Sequence, residues 1–234
     1  LPICLRDTHS CWRPRSPAPQ AAGGWQGERA FQVISKTRES DEITSFVMAP
    51  ADGGEVMDFL PGQYITILLT INSEQARRQY SLSDISNGKT YRISVKREPG
   101  GKVSNYLHDH ISVGSQVSLF PPTGSFTLAN SEKPLVLISG GVGITPTLAM
   151  LNKALQTQRP VHFIHAARHA GVHAFGAHID ALAATHPQLK RYYVYEQGAA
   201  GADATGFLSR ELLEQWIPAS RDVDAYFLGP LPFM

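Results

Sequence analysis

The sequence predicts two domains in series, an antiparallel β-barrel followed by a parallel α/β sheet. Three observations carry this expectation. The 234 residues suffice for two cores of about 100 residues each. Between residues 31 and 120, short β-rich runs recur with turn signals between them. After residue 129 the pattern changes to apolar runs alternating with helical faces. The expected boundaries are an unstructured leader over residues 1–24, a barrel domain over 25–130 and an α/β domain over 131–234.

The leader is set apart by four prolines, both cysteines (Cys4 and Cys11) and no periodicity. It lacks the clean apolar stretch of an export signal, so a cytoplasmic location is expected. The barrel or sandwich strands are expected at 31–36, 43–49, 64–70, 79–84, 91–97 and 116–120. Asp52-Gly53-Gly54, Pro61-Gly62, Asn87-Gly88 and Pro99-Gly100-Gly101 break them apart. A short helix over about 103–108 follows the last of these turns. In the second domain, strands are expected at 135–139, 161–166, 191–195 and 225–228. Between them lie helix faces marked by Leu148, Leu151 and Leu155, by Phe175, Ile179 and Leu182, and by Leu212, Leu213 and Trp216.

Composition removes several classes of function. A formal charge of +1 gives no global field for a nucleic-acid backbone or an anionic membrane surface. The apolar stretch 135–151 holds Gly140, Gly141, Gly143 and Pro146, so it reads as strand, turn and helix rather than a membrane span. Two cysteines cannot supply a four-thiolate iron-sulfur or zinc site. Histidines 162, 165, 169, 173 and 178 cluster in sequence, but without nearby cysteine they read as loop, surface and strand residues, and no metal is expected. There is no Gly-x-Ser-x-Gly elbow for a hydrolase.

What remains points to a nucleotide. The strand 135–139 runs into Gly140-Gly141-Val142-Gly143-Ile144-Thr145-Pro146 and then a helix, the context a pyrophosphate requires. Pro146 stands where a third fingerprint glycine would be. Thr145 is the expected N-cap and Pro146 the first helical residue. No acidic residue ends the second strand to take a ribose 2′-hydroxyl, whereas Arg168 is close enough in sequence to meet a 2′-phosphate, so NADH and NADPH both stay open. Gly100-Gly101-Lys102-Val103-Ser104 is not a Walker motif, because Val103 replaces the Mg²⁺-binding hydroxyl, yet its helix start offers free N–H groups to an anion. Arg78-Gln79-Tyr80-Ser81 places a guanidinium, an aromatic ring and a hydroxyl in one short run, the groups a flat cofactor with a diphosphate needs.

These motifs stand in a telling order: Pro61-Gly62-Gln63-Tyr64, Arg78 to Ser81, Val95-Lys96-Arg97, Gly101 to Asn105, Gly140 to Pro146, and Gly229-Pro230 with Phe233-Met234. Together they resemble the ferredoxin-reductase-like FAD/NAD(P)H module, and within it the reductase half of the bacterial flavohaemoglobins, the nitric oxide dioxygenases. His165-Ala166-Ala167 and His173-Ala174-Phe175 strengthen the narrower likeness. The resemblance implies a flavin-dependent NAD(P)H oxidoreductase. Tyr64, Arg78, Gln79, Tyr80 and Ser81 would bind FAD, with Tyr80 against the isoalloxazine, Ser81 near its N5 and Arg78 on the pyrophosphate. Lys96, Gly101, Val103 and Ser104 would complete that site, the turn at 101–104 sharing the pyrophosphate. Gly141, Val142, Gly143, Ile144, Thr145 and Pro146, with Gly229 and Pro230, would hold the pyridine nucleotide. Tyr80 and Ser81 are the implied catalytic pair.

The resemblance also implies a partner. Nicotinamide gives two electrons together and haem iron accepts one, so a flavin stands between them; the haem would lie in a globin domain that residues 1–24 cannot form. Against the family pattern, Leu228-Gly229-Pro230 replaces Cys-Gly-Pro, which predicts slower hydride transfer, and the chain stops before the family's last helix, strand and tail. The α/β domain is therefore expected to be C-terminally truncated, with its fourth strand a bare edge. Two other readings follow from the same residues: a reductase serving ferredoxin, flavodoxin or an oxygenase, and a non-catalytic nucleotide-binding fragment.

Overall fold

The structure, a computed structural model, describes residues 22–230. Cys4, Cys11, Phe233, Met234 and nearly all of the predicted leader lie outside the described residues.

The first domain is a six-stranded antiparallel sheet of β1 (Arg29–Arg38), β2 (Ile43–Pro50), β3 (Tyr64–Ile71), β4 (Glu74–Ser81), β5 (Tyr91–Lys96) and β6 (Gln116–Leu119), in the order β4-β3-β6-β1-β2-β5. An antiparallel bridge between Leu82 and Ile93 joins the two end strands, so the sheet closes as a barrel rather than a sandwich. Phe31, Phe46, Ile65, Ile67, Leu82, Tyr91, Ile93 and Leu119 fill its interior, each fully buried. The helix α1 (Lys102–His110) packs Val103 and Leu107 against this core.

One strand departs from expectation. The sequence suggests 79–84, but β4 begins five residues earlier, at Glu74. Its start, Glu-Gln-Ala-Arg-Arg, is polar and mostly exposed, so it carries no strand signal of its own. The tight turn before it imposes the pairing: Asn72 and Ser73 both take positive φ, 53° and 65°, and all eight residues of β4 then pair in register with β3.

The second domain is a five-stranded parallel sheet of β7 (Leu135–Gly140), β8 (Val161–Ala167), β9 (Leu189–Tyr195), β10 (Ala204–Thr205) and β11 (Asp224–Leu228), in the order β10-β9-β8-β7-β11. The two-residue β10 is too short to show a sequence pattern. Helices α2 (Ile144–Ala154) and α3 (Gly176–Thr185) cover one face, where Leu137, Leu148, Phe163 and Ile179 share a core. Helix α4 (Arg210–Trp216) covers the other, with Trp216 against Val136, Ile164 and Val194. Because both faces are covered, β7 is buried along all six residues. Strands β8 to β10 build away from β7 on one side and β11 pairs on the other, so the order reverses between β7 and β11. That reversal leaves a crevice beyond the strands' C-terminal ends, where ligands bind in such sheets.

The domains are joined by specific contacts. Ile43, at the start of β2, is buried in the core of the α/β domain. Asp41 N–H donates to Gly171 O at 2.9 Å. Glu42 pairs with Arg168, and the Arg92 guanidinium lies 5.6 Å from the Phe175 ring centre.

Candidate functional site

A cleft of about 590 Å³ runs between the two domains. Its barrel wall carries Arg78, Gln79, Tyr80 and Ser81 from β4, and Ser94 and Lys96 from β5. Gly101, Lys102, Val103 and Ser104 at the start of α1 form one end. Gly141, Val142, Gly143, Thr145 and Pro146 face them from the start of α2, beside Leu228, Gly229 and Pro230 after β11. Sequence positions some 150 residues apart thus meet at the crevice of the parallel sheet.

Two helix N-termini converge on this cleft, and both start on glycine without a side-chain cap: Gly101 precedes α1 and Gly143 precedes α2. By contrast, α4 is capped by Ser209, whose hydroxyl accepts from Leu212 N–H. An uncapped start leaves backbone donors and the positive end of the helix dipole for an anion. Gly141 takes φ +52° with open space where a side chain would project. Gly143 serves close packing instead, since a Cβ there would lie 2.4 Å from Leu228 O.

The cations are not equivalent. Lys96 pairs with Glu98 at 3.2 Å and Lys102 with Glu74 at 2.5 Å. Arg78 has no carboxylate partner among the described residues; its guanidinium donates to the carbonyl of Arg77. Tyr80 is packed against the barrel core, and burial pushes its hydroxyl up to about 12, with the nearby Arg78 charge opposing, so it stays protonated at neutral pH. Ser104 Oγ receives the Glu98 N–H at 3.3 Å, which fixes the turn before α1.

The expected start of α2 is corrected, and three residues singled out in the sequence stand outside the cleft lining. Thr145 is not the N-cap of α2: a 3-10 turn at Gly141–Gly143 leads into the helix, Gly143 caps it, and the Thr145 hydroxyl donates to Val142 O at 3.1 Å. Pro146 is accordingly the third helical residue, still within the first turn, where its missing N–H costs no helical bond. Ile144 is wholly buried in the α/β core and its N–H bonds back to Gly141 and Val142, so it does not line the cleft. Tyr64 stands opposite Ser81 in the ladder, yet it too lies outside the cleft lining, near Gly124. Arg168 pairs with Glu42 across the domain boundary and is not part of the lining either. Sequence reasoning missed Ser94 and Glu98 as lining residues, whereas Leu228, singled out as the replacement of a family cysteine, does line the cleft. The alternation of β5 could have shown Ser94, because Lys96, two positions on, shares its face.

Three of the clustered histidines have structural partners through Nδ1. His162 Nδ1 bonds Trp216 O at 2.6 Å, His165 Nδ1 lies 2.8 Å from Ser139 Oγ, and His173 Nδ1 lies 2.7 Å from Tyr195 Oη. His165 and His173 stack with ring centres 4.5 Å apart. Burial pushes His173 down to about 4 and His165 well below its ordinary value, so both are neutral. No group of three metal-ligating side chains occurs among the described residues. Nor is any described helix long and apolar enough to cross a membrane.

Comparison with known proteins gives the chain its family. The family model "Oxidoreductase FAD-binding domain" matches residues 30–128, and "Oxidoreductase NAD-binding domain" matches 137–234. The FAD/NAD-binding domain of a nitric oxide dioxygenase from Vibrio cholerae, a crystal structure, superposes with a TM-score of 0.83 at 40% identity, covering 88% of this chain and 89% of that one. The chain belongs to the flavohaemoprotein reductase family. It is 62% identical over 217 residues to flavohaemoproteins of Burkholderia sp. strain TH2 and Pseudomonas putida, a span that is 92% of this chain and 55% of each relative. The chain therefore spans about half the length of those curated relatives. A flavohaemoglobin from Malassezia yamatoensis with bound FAD and haem matches with a TM-score of 0.80 at 26% identity, covering 92% of this chain and 56% of that one.

As a member of this family the chain is a flavin-dependent NAD(P)H oxidoreductase module with FAD- and NAD-binding domains. The cleft's donor set fits both cofactors: the Arg78 guanidinium, which has no carboxylate partner among the described residues, and two uncapped helix starts suit phosphates, and the Tyr80 ring, with the hydroxyls of Ser81 and Ser94 in the same lining, suits a flat ring system.

Proposed function

We propose that FAD lies along the barrel wall of the cleft and NAD(P)H at the α2 start, so that the chain moves electrons from NAD(P)H through FAD to a haem iron. Arg78 and the N–H groups after Gly101 would hold the flavin pyrophosphate. Tyr80 would pack on the isoalloxazine, and Ser81 would donate to its N5 edge. The turn at Gly141–Gly143 would cradle the nicotinamide dinucleotide, with Leu228, Gly229 and Pro230 closing its side. FAD accepts two electrons as hydride and releases them singly. The residues bind, orient and exclude water; holding the two rings in contact replaces a collision by a positioned encounter.

The observation that carries this reading is the convergence of two uncapped helix starts on one cleft, from the two domains whose family models are those of FAD and NAD binding. Following the flavohaemoprotein relatives, the proposed acceptor is the haem of a globin domain, and the proposed activity of the whole is nitric oxide dioxygenation. The test is to purify the chain with added FAD, record its visible spectrum without oxygen, and titrate NADH and NADPH in turn. A flavin band bleached by either nucleotide supports the reading, whereas a colourless protein overturns it.

A further inference from the structure

Three buried serine hydroxyls lie in a chain behind the barrel wall. Ser94 lines the cleft, with its Oγ 2.8 Å from Ser45 Oγ and 2.7 Å from Ser83 Oγ. Ser45 and Ser94 are directly opposite in the β2–β5 ladder, so their side chains share a face. Relative exposures are 2% for Ser45, 0% for Ser83 and 3% for Ser94. Behind Ser83 stands a charge: Arg92 Nε donates to Ser83 Oγ at 3.2 Å, and its guanidinium pairs with Asp84 at 3.4 Å.

The direction of these bonds follows from counting protons. Ser45 Oγ has Ser94 Oγ as its hydrogen-bond partner among the described residues, so its proton goes there; otherwise a buried donor would go unsatisfied. Ser83 accepts from Arg92 and has two acceptors in reach, Ser94 Oγ at 2.7 Å and Arg92 O at 3.3 Å. Its proton takes the shorter path. Ser94 then receives two hydrogen bonds, and its own proton is left pointing toward the cleft it lines.

We propose that Ser94 donates this hydrogen bond to the bound flavin ring, more strongly to the reduced than to the oxidised form, and thereby raises the flavin's reduction potential. The proposal rests on the cleft being the FAD site. A hydride carries two electrons and one proton, so its uptake adds one negative charge to the ring system. A donor already fixed in a buried network meets that charge without reorganising, and the Arg92 charge behind Ser83 polarises the chain in the right direction. Ser81 would meet the edge that receives the hydride, and Ser94 would meet the charge that the hydride leaves.

The experiment uses the full chain loaded with FAD, as wild type, Ser94→Ala, Ser94→Thr and Ser83→Ala. The readouts are the flavin midpoint potential, from an anaerobic dye-equilibrated titration, and the affinity for oxidised FAD, from flavin fluorescence. Ser94→Ala is expected to lower the affinity for reduced relative to oxidised FAD about tenfold, a midpoint about 30 mV more negative for a two-electron couple. Ser94→Thr, which keeps the hydroxyl, is expected to match the wild type, and Ser83→Ala to shift in the same direction by less. An unchanged midpoint in Ser94→Ala with FAD bound overturns the proposal and leaves the FAD site standing. A wild type that holds no flavin overturns both. Should Ser94→Ala fail to retain flavin, Ser83→Ala decides, and a wild-type midpoint there overturns the proposal.

Discussion

Gly143→Ala separates the two halves of the cleft. Gly143 has φ −59° and ψ −13°, a conformation alanine adopts freely, so backbone strain plays no part and helix propensity alone favours the change. Space decides the outcome. A Cβ at this position lies 2.4 Å from Leu228 O, 2.7 Å from Leu228 C and 3.1 Å from Gly229 N. To reach even 3.0 Å from the carbonyl oxygen, the backbone must move by at least 0.6 Å. It is not free to do so, because Leu228 is held in register opposite Ser139 at the end of the β7–β11 ladder. Overpacking of this kind costs about 1–3 kcal/mol. Leu228, Gly229 and Pro230 all line the cleft, so part of that strain displaces the proposed nicotinamide wall. If all of it did, NADH affinity would fall about 5- to 150-fold, since about 1.4 kcal/mol is a factor of ten. The barrel wall is untouched, and FAD retention should hold. The assay is rapid-mixing reduction of FAD-loaded protein over a range of NADH concentrations, with flavin occupancy measured on the same samples. An apparent NADH affinity equal to the wild type would refute the reasoning, as would equal losses of flavin and NADH.

Other perturbations test other parts of the site. Arg78→Ala removes the cleft cation that lacks a carboxylate partner among the described residues, and should weaken FAD binding by about 1.5–3 kcal/mol in a flavin-fluorescence titration; unchanged occupancy would contradict its assignment. Acid should destabilise the α/β domain through His173. Its folded value of about 4 lies below the ordinary 6.5, so the unfolded chain takes up a proton the fold refuses, and stability present above pH 6.5 is lost as pH falls toward 4. The span of 2.5 units corresponds to about 3 kcal/mol in total, some 2 of it by pH 5, and urea midpoints at pH 7 and pH 5 would reveal a flat profile if the burial argument is wrong. Arg168→Ala should leave the ratio of NADH to NADPH affinities within about twofold, because Glu42 already engages the guanidinium, and should lower stability by no more than about 1 kcal/mol. A specific loss of NADPH binding would show that Arg168 leaves Glu42 to meet the 2′-phosphate.

Much of this architecture was legible in the residues, because the signals were local. The run from Leu135 to Ser139, followed by glycines, reads as a buried strand and a turn without any knowledge of its neighbours, and β7 begins at that leucine and extends one residue further. The order of strand and helix in the second half, with turn residues between β-rich runs in the first, identifies the two fold classes for the same reason. What escaped depends on distant partners. The polar start of β4 is a strand because β3 lies beside it, and Thr145 fails as a cap because a 3-10 turn brings Val142 O within reach of its hydroxyl. Arg168, close enough in sequence to meet a 2′-phosphate, pairs with Glu42, 126 residues earlier, a contact that only the fold creates.

The same distinction explains the site. Each cluster predicted from sequence is incomplete alone: the β4 run offers a cation and a ring, the α1 start offers donors, and the α2 start offers a second set of donors. None is specific in isolation, since an exposed arginine, a buried tyrosine and a glycine turn each have ordinary structural uses. Specificity comes from the reversal of strand order at β7 and β11, which opens the crevice, and from the docking of Ile43 and Glu42, which sets the barrel wall across it. Ser94 shows the consequence most clearly. In sequence it is one polar residue in a strand, and its neighbours Ile93 and Val95 explain the strand without it. Only the positions of Ser45, Ser83 and Arg92 turn its hydroxyl into a donor directed at the cleft, so its contribution should weaken when the chain behind it is cut at Ser83, even though the Ser94 side chain itself remains.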